Sequence, residues 1–339
     1  MIVKKCHGVI VCFVMVLLVL FTGCENYQTS VETEGETVLE EDLIVVGFSQ
    51  IGSESAWRTA NTKSIQNALS KENGFFLQFS NARQKQENQI KAIRRFISQQ
   101  VDYIVFSPIT ESGWTTVLEE AKSAGIPVIV VDREIAVADS TLYTAWVGSD
   151  TVWEGEQAGQ WLERDLIVHG KENEQINIVI LEGTPGSSAQ IGRSEGFKKY
   201  IRKHENWNVL AQESGDFTTA KGKEVMQKYL KLYDDIDVVV SQNDDMTLGA
   251  VEAMQEAGVY LGPYDGVRII SYDGGKTALE MVRNSIIDVD VECNAEQGEY
   301  VRSIINQLEK GKIVENKIYV PDKVFTDDNV GQYIDSRTY

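Results

Sequence analysis

The chain has 339 residues, 42% of them hydrophobic, which is enough apolar material for one large or two medium folded domains. This composition excludes an intrinsically disordered chain. The formal net charge of −19 at pH 7 disfavours nucleic acids and anionic membrane surfaces as partners, and a well-solvated surface is its simplest explanation.

The N-terminal residues predict an export signal rather than part of the fold. Lys4 and Lys5 precede an almost unbroken apolar run over residues 8–21, which is too short for a transmembrane helix and has the proportions of a signal peptide. Gly23 followed by Cys24 resembles the bacterial lipobox, in which the cysteine carries a diacylglycerol thioether and becomes the first mature residue. We therefore predict a lipoprotein signal peptide over residues 1–23 and a lipid on Cys24. An ordinary cleavable signal is the alternative.

Cysteine usage agrees with this processing. Of the 4 cysteines, Cys6 and Cys12 would leave with the signal peptide and Cys24 would carry the lipid, so Cys293 alone would remain as a thiol. No intramolecular disulfide is then expected. Residues 24–42 are polar and acidic without apolar periodicity, and they predict a flexible acidic tether.

From residue 43 onwards, short apolar runs alternate with amphipathic segments. The first series predicts strands and helices that alternate over residues 43–48, 57–71, 75–79, 86–99, 103–106, 114–124 and 128–131. The second series begins with a helix and alternates over residues 154–166, 176–181, 193–204, 207–211, 221–231, 238–241, 246–257 and 267–271. Repeated strand–helix units predict parallel sheets with helices on both faces. Two series of similar length, without a flexible linker, predict an α/β fold of two Rossmann-like lobes joined by short crossings.

Charged, amide and aromatic residues follow the predicted strands. Ligands of such sheets bind beyond the carboxyl ends of the strands, so two facing lobes would form a cleft lined by these residues. Carboxylate, amide and guanidinium groups can each bridge two neighbouring hydroxyls, and aromatic rings cover the C–H faces of a sugar. Asp, Asn and Ser at such positions also serve as helix caps. The strand ends nevertheless favour a sugar site, with Trp57 and Phe217 as the candidate aromatic rings.

Several segments resemble the bacterial galactofuranose-binding proteins, which belong to the ribose/galactose type of solute-binding protein that serves ABC importers. They are residues 46–60, 84–93, 131–133, 215–226 and 242–246, and the similarity keeps motif order and spacing over nearly all of residues 43–325. The resemblance implies a type I periplasmic-binding-protein fold, in which two lobes with parallel sheets close on one sugar. Three crossings would act as the hinge, near residues 148–150, 292–294 and 319–322.

The resemblance also implies domain boundaries and ligand contacts. One lobe would comprise residues 43–148 plus 294–319, and the other 149–292 plus 320–339. The implied contacts are Glu54, Trp57, Arg58, Asp132 and Arg133 on the first side, and Arg193, Phe217, Asn243, Asp273 and Glu292 on the second side and the hinge. Ribose binders usually carry Asn-Pro-Phe-Phe-like residues at positions 54–57 and Gln at position 292, so these departures favour the galactofuranose type. The role of residues after Phe325, which do not match clearly, stays open.

We therefore expect an exported, lipid-anchored, monomeric binding protein that delivers a monosaccharide to the permease of an ABC importer, without a cofactor or a metal. Galactofuranose, arabinose, galactose and ribose all fit the sequence. A sensory lipoprotein that reports the sugar to a membrane kinase or a chemoreceptor fits it equally well.

Two other classes of protein are disfavoured. A glycosidase could use Asp132 and Asp273 as its carboxylate pair, but the chain has no nucleophile motif and no metal-ligand spacing. A sugar-responsive transcription repressor would need a basic helix-turn-helix at the N-terminus, where this chain has an apolar run followed by an acidic segment.

Overall fold

A computed structural model describes residues 43–262 and 266–339 of the chain. The predicted signal peptide, the predicted tether and the predicted lipidation of Cys24 lie outside the described residues. Within the described part of the chain, no helix combines the length and the apolar character needed to cross a membrane.

Strands and helices alternate along most of the described chain. In chain order they are β1 (Ile44–Gln50), α1 (Ala56–Ala68), β2 (Phe75–Asn81), α2 (Gln86–Ser98), β3 (Tyr103–Phe106), α3 (Thr115–Ser123), β4 (Val128–Val131), β5 (Ala145–Gly148), α4 (Thr151–Val168), β6 (Ile176–Glu182), α5 (Ser188–Ile201), β7 (Trp207–Ser214), α6 (Thr219–Leu232), β8 (Val238–Ser241), α7 (Asp244–Glu256), β9 (Arg268–Asp273), α8 (Lys276–Arg283), β10 (Val289–Glu292), α9 (Gly298–Leu308), β11 (Lys317–Tyr319) and β12 (Val324–Phe325).

The strands form two sheets, each of six strands, in the orders β11-β5-β4-β3-β1-β2 and β12-β10-β9-β8-β6-β7. Neighbouring strands are parallel except β10 and β12, which are antiparallel. Successive side chains of β3 enter different buried clusters: Ile104 and Phe106 pack on one face, and Tyr103 and Val105 on the other. Parallel strands are buried on both faces because helices cover both, so they read as continuous apolar runs. The predicted two-lobed α/β fold is confirmed.

The chain passes between the two sheets three times, and each crossing is short. β5 belongs to the first sheet, and the helix that follows it, α4, packs on α5 and β10 of the second lobe. β10 belongs to the second sheet, and α9 after it packs on α1. The third crossing joins β11 in the first sheet to β12 in the second. These crossings bring the carboxyl ends of both sets of strands to one cleft.

Helices of the second lobe begin earlier than their apolar pattern predicts, because side chains at strand ends cap them. Ser187 accepts the backbone N–H of Gln190 and starts α5 at Ser188, five residues before the predicted position 193. Asn243 accepts the N–H of Met246 in the same way at α7. Residues 183–187 therefore form a turn before α5, with Gly186 in a left-handed conformation.

Candidate functional site

A pocket lies between the lobes, at the carboxyl ends of the strands. Its wall includes nine of the ten residues predicted to contact a ligand, together with three that the sequence did not indicate. The predicted residues are Glu54, Trp57, Arg58, Asp132, Arg133, Arg193, Phe217, Asn243 and Asp273, and the additional ones are Ser55, Ala189 and Cys293.

Arg58 organises the first-lobe side of the pocket. Its Nε donates to Glu54 Oε1 at 3.0 Å, and its Nη1 lies 2.7 Å from Asp132 Oδ2 and 3.2 Å from Ser107 Oγ. Ser107 Oγ also donates to Asp132 Oδ2 at 2.9 Å. Glu54 Oε2 is buried and receives no hydrogen bond from the described residues. An unpaired buried oxygen costs free energy, so Glu54 presents an acceptor that a ligand hydroxyl would satisfy.

Arg193 organises the second-lobe side of the pocket. Its Nε donates to Glu154 Oε2 at 2.6 Å, its Nη2 donates to Asp273 Oδ1 at 3.0 Å, and its Nη1 donates to the Gln242 carbonyl. Burial raises the pKa of Asp273, and the Arg193 guanidinium opposes that shift. Glu154 is fully buried in the first turn of α4. No pattern in the sequence indicates this role, because the partner of Glu154 lies on a different helix far along the chain.

Two aromatic rings face the pocket from opposite lobes. Trp57 Nε1 donates to the Cys293 carbonyl at 2.6 Å, which leaves the ring itself for a ligand. The Arg133 guanidinium carbon lies 5.2 Å from the centre of the Phe217 ring, and Arg133 Nη1 donates to the Ile109 carbonyl at 2.8 Å. Burial lowers the pKa of Arg133 to about 10, so the side chain stays charged at neutral pH.

Strained backbone concentrates at the pocket. Eight non-glycine residues of the described chain have positive φ, and three of them line the pocket: Asp132 (64°), Phe217 (59°) and Asp273 (112°). Left-handed conformations cost free energy in side-chain-bearing residues, and they persist where the surrounding structure imposes them, often at ligand sites. These three side chains therefore owe their direction to an unusual backbone at the strand ends.

Acidic and basic side chains line the pocket together. Three carboxylates (Glu54, Asp132, Asp273) face three guanidinium groups (Arg58, Arg133, Arg193), and Glu154 adds a fourth acidic group beside Arg193. This mixture of acceptors and donors suits a ligand with many hydroxyl groups, each able to bond an acceptor on one side and a donor on the other.

The lobes contact each other around the mouth of the pocket. The Ala56 N–H at the start of α1 donates to Asp245 Oδ2 at 3.2 Å, at the start of α7. The Glu134 N–H donates to Ser188 Oγ at 2.8 Å. The Glu111 N–H donates to the Gly186 carbonyl at 3.0 Å. The structure is thus a closed form, which removes a bound ligand from bulk water.

Glu292 is the one predicted contact that does not line the pocket. Its Oε1 accepts from Arg337 Nη2 at 2.5 Å, and its Oε2 lies 3.3 Å from Lys323 Nζ. Arg337 belongs to the C-terminal segment whose role the sequence left open. In that segment, the Tyr339 carbonyl accepts the Lys276 N–H at 2.5 Å, and the Tyr339 side chain packs against the buried cluster of Trp57, Ala60, Cys293 and Ala295. The segment therefore lies over the crossings and contacts both lobes.

The carboxylates required by the glycosidase alternative are both ion-paired. Asp132 is bonded by Arg58, and Asp273 by Arg193. Over residues 43–262 and 266–339 there is no group of three His, Cys, Asp or Glu side chains arranged to hold a metal ion. His169, which ends α4, bonds the Asp165 carbonyl at 2.8 Å and does not line the pocket.

Known proteins resemble this chain over most of its length. Residues 46–313 match the family model described as "Periplasmic binding protein domain". The chain is 38% identical over 289 residues to the galactofuranose-binding protein YtfQ of Escherichia coli (strain K12), a match covering 82% of this chain and 88% of that protein.

Solved structures agree with this match. A crystal structure from Mycobacterium smegmatis in complex with beta-D-fucofuranose has a TM-score of 0.83 and 40% identity, covering 87% of this chain and 95% of the other. The periplasmic binding protein component of the arabinose ABC transporter from Shewanella sp. ANA-3, bound to L-arabinofuranose, has a TM-score of 0.81 and 39% identity with the same coverage.

The resemblance inferred from the sequence is confirmed, because the family model and the relatives in sequence and in structure all agree with it. The relatives are binding proteins, so this chain is a substrate-binding protein and not an enzyme. It belongs to the periplasmic binding protein domain family.

Proposed function

We propose that this protein captures a monosaccharide in its furanose form outside the cytoplasm and delivers it to the permease of an ABC importer. The observation that carries the proposal is the closed interlobe pocket, which three carboxylates, three guanidinium groups and two aromatic rings line. Such a wall offers many hydrogen-bond partners for hydroxyl groups. A sugar that lacks a matched hydroxyl would strand a desolvated partner, so the site discriminates between sugars.

The relatives support the furanose form. Galactofuranose, fucofuranose and arabinofuranose are named for proteins that are 38%, 40% and 39% identical to this chain. The nine predicted residues of the pocket wall would make the contacts, with Trp57 and Phe217 against the two faces of the ring. The buried unpaired oxygen of Glu54 would accept a ligand hydroxyl.

The proposal also covers the boundaries of the lobes, the oligomeric state and the membrane anchor. The lobes would comprise residues 43–148 with 294–319 and residues 149–292 with 320–339, and the membership of the two sheets supports this division. The protein would act as a monomer, held to the outer face of the membrane by a lipid on Cys24. The lipobox-like sequence before Cys24 supports that anchor.

A thermal-shift screen followed by isothermal titration tests the proposal. The panel contains D-galactose, L-arabinose, D-fucose, D-ribose and D-fructose, all of which equilibrate with furanose forms in water. A ligand that binds only the folded state stabilises it by about 2.7 kcal/mol at a hundred-fold excess over the dissociation constant. Asp273→Ala serves as the matched variant with a damaged pocket. The proposal fails if no sugar at millimolar concentration shifts the melting temperature of the parent protein.

A further inference from the structure

Two buried aspartates hold the loop that carries Asp273. Asp290 lies on β10 with 0% exposure, and its Oδ1 accepts the Gly274 N–H at 3.1 Å. Asp244 begins α7, and its Oδ2 accepts the Gly275 N–H at 2.7 Å. These two bonds fix the backbone directly after Asp273, where both Asp273 and Gly274 have positive φ, 112° and 73°.

One oxygen of these two carboxyl groups lacks a hydrogen-bond partner unless the pair carries a proton. Asp244 Oδ1 is bonded to Ser271 Oγ at 2.6 Å, so both Asp244 oxygens have partners. Asp290 Oδ2 is buried and receives no hydrogen bond from a donor in the described chain. The two carboxyl groups accept the N–H groups of the adjacent residues Gly274 and Gly275, which places Asp244 and Asp290 side by side. Two carboxyl groups can bond each other only when one of them is protonated.

We propose that Asp244 and Asp290 share one proton, and that this acid–carboxylate pair positions Asp273 for the sugar and makes sugar affinity depend on pH. Loss of the proton would place two negative charges in contact in a buried site. Their repulsion would pull on the Gly274 and Gly275 amides and release the strained backbone of Asp273. The inference rests on the proposed function, since it assigns regulation to the same pocket.

The surroundings of the pair favour the protonated state. Burial and the neighbouring Asp290 raise the pKa of Asp244, and burial likewise raises the pKa of Asp290. Asp273 opposes ionisation of Asp290, and Arg337 from the C-terminal segment favours it. Neighbouring elements carry further ionisable groups at Asp245, Lys276, Glu292, Lys323 and Tyr339.

The raised pKa values of Asp244 and Asp290 determine whether sugar affinity rises or falls with pH. An acid whose pKa is raised in the closed form keeps its proton at low pH and loses it as pH rises. We therefore expect Asp273 to keep its position at mildly acidic pH and to lose it under alkaline conditions. A charge-assisted bond between Asp273 and a sugar hydroxyl is the interaction at stake, so affinity should fall about ten-fold or more between pH 6 and pH 9.

Asp290→Asn is the decisive variant. Its amide oxygen can still accept the Gly274 N–H, and its NH₂ group can donate to an ionised Asp244, so the pair no longer needs a proton. We expect affinity close to that of the parent at pH 6 and little change up to pH 9. Asp288→Asn is the matched control. Asp288 directly precedes β10, burial raises its pKa to about 7, and it accepts the Ile269 N–H at 2.7 Å, away from the Asp273 loop.

Two measurements separate this inference from the proposed function. Isothermal titration of the five-sugar panel from pH 6 to pH 9 measures affinity. Hydrogen exchange at Gly274 and Gly275, measured without sugar, reports on the loop directly. We expect exchange at these amides to rise with pH more steeply in the parent and in Asp288→Asn than in Asp290→Asn, after correction for the intrinsic rate.

The outcomes are distinct. If sugar binds and the parent and Asp290→Asn show the same pH dependence of affinity, the inference is overturned and the proposed function stands. If no sugar binds at any pH, the proposed function fails, and hydrogen exchange decides alone whether the shared proton holds the loop. Equal pH dependence of exchange in the parent and Asp290→Asn then overturns the inference as well.

Discussion

Gly183 lies directly behind Phe217, and a single methyl group there should disturb the pocket. A Cβ built on Gly183 would stand 1.8 Å from Phe217 Cζ and 2.2 Å from its Cε1, far inside any tolerated contact. The glycine backbone cannot retreat easily, because its N–H donates to Gln242 Oε1 at 2.9 Å and its carbonyl accepts from Ser214 Oγ at 2.7 Å. In Gly183→Ala, therefore, the Phe217 ring has to move.

The size of the effect on sugar affinity depends on the direction in which the Phe217 ring moves. Phe217 lines the pocket, so the free space open to its ring is the space that the sugar would fill. Binding would then require the ring to be pushed back against the new methyl group. Overpacking of this kind costs about 1–3 kcal/mol, which corresponds to roughly 5- to 140-fold in affinity.

Isothermal titration with the best sugar of the panel measures this loss. Gly331→Ala is the matched control, because nothing lies within 4 Å of a Cβ there and its backbone is not left-handed. The control should bind as the parent does. Parent affinity in Gly183→Ala, with or without a lower melting temperature, would refute the reasoning, since it would mean that the ring relaxes away from the pocket.

Three further predictions follow from the site and from the sequence. Asp273→Ala should weaken sugar affinity about ten- to a hundred-fold by titration calorimetry, because a charge-assisted bond is lost, whereas His169→Ala should bind as the parent does. Burial raises the pKa of Asp322 to about 8, above its unfolded value, so the parent protein loses stability as pH rises towards the folded pKa. Asp322→Asn should therefore make stability to urea less dependent on pH. Equal urea midpoints of parent and variant at pH 6 and pH 9 would count against that explanation. Cys24→Ser should abolish membrane retention in fractionated cells, and a parent protein that fractionates as soluble would contradict the lipid anchor.

The sequence predicted the buried strands best. β3, β4 and β8 match their predicted bounds, because each is a fully buried strand of four residues whose apolar run ends at polar residues. β5 was missed: its Ala145–Gly148 segment is equally short and carries no periodicity that separates it from the surrounding loop. Helix starts were displaced because capping depends on a polar side chain and not on the apolar pattern.

The site was predictable where it depends on strand ends. Residues after parallel strands meet at one edge whatever the details of packing, which is why nine predicted residues share one pocket. Glu292 departs from that pattern because of Arg337, a partner in a segment that the resemblance did not cover. Glu154 was missed because its role depends on the packing of α4 against α5, which brings it to Arg193.

The buried ion pairs explain how one pocket can be both strained and selective. Arg58 pairs with Glu54 and Asp132 in the first lobe. Arg193 pairs with Glu154 and Asp273 in the second, so each guanidinium group has acidic partners within its own lobe. Removing one partner would leave a buried charge alone, which typically costs about 3–5 kcal/mol. Under the proposed function, a sugar would not have to neutralise these guanidinium groups; it would have to match acceptors such as Glu54 Oε2 that the ion pairs leave open. Selectivity would then depend on the position of each hydroxyl, and the strained backbones at Asp132, Phe217 and Asp273 would hold the side chains that those hydroxyls meet.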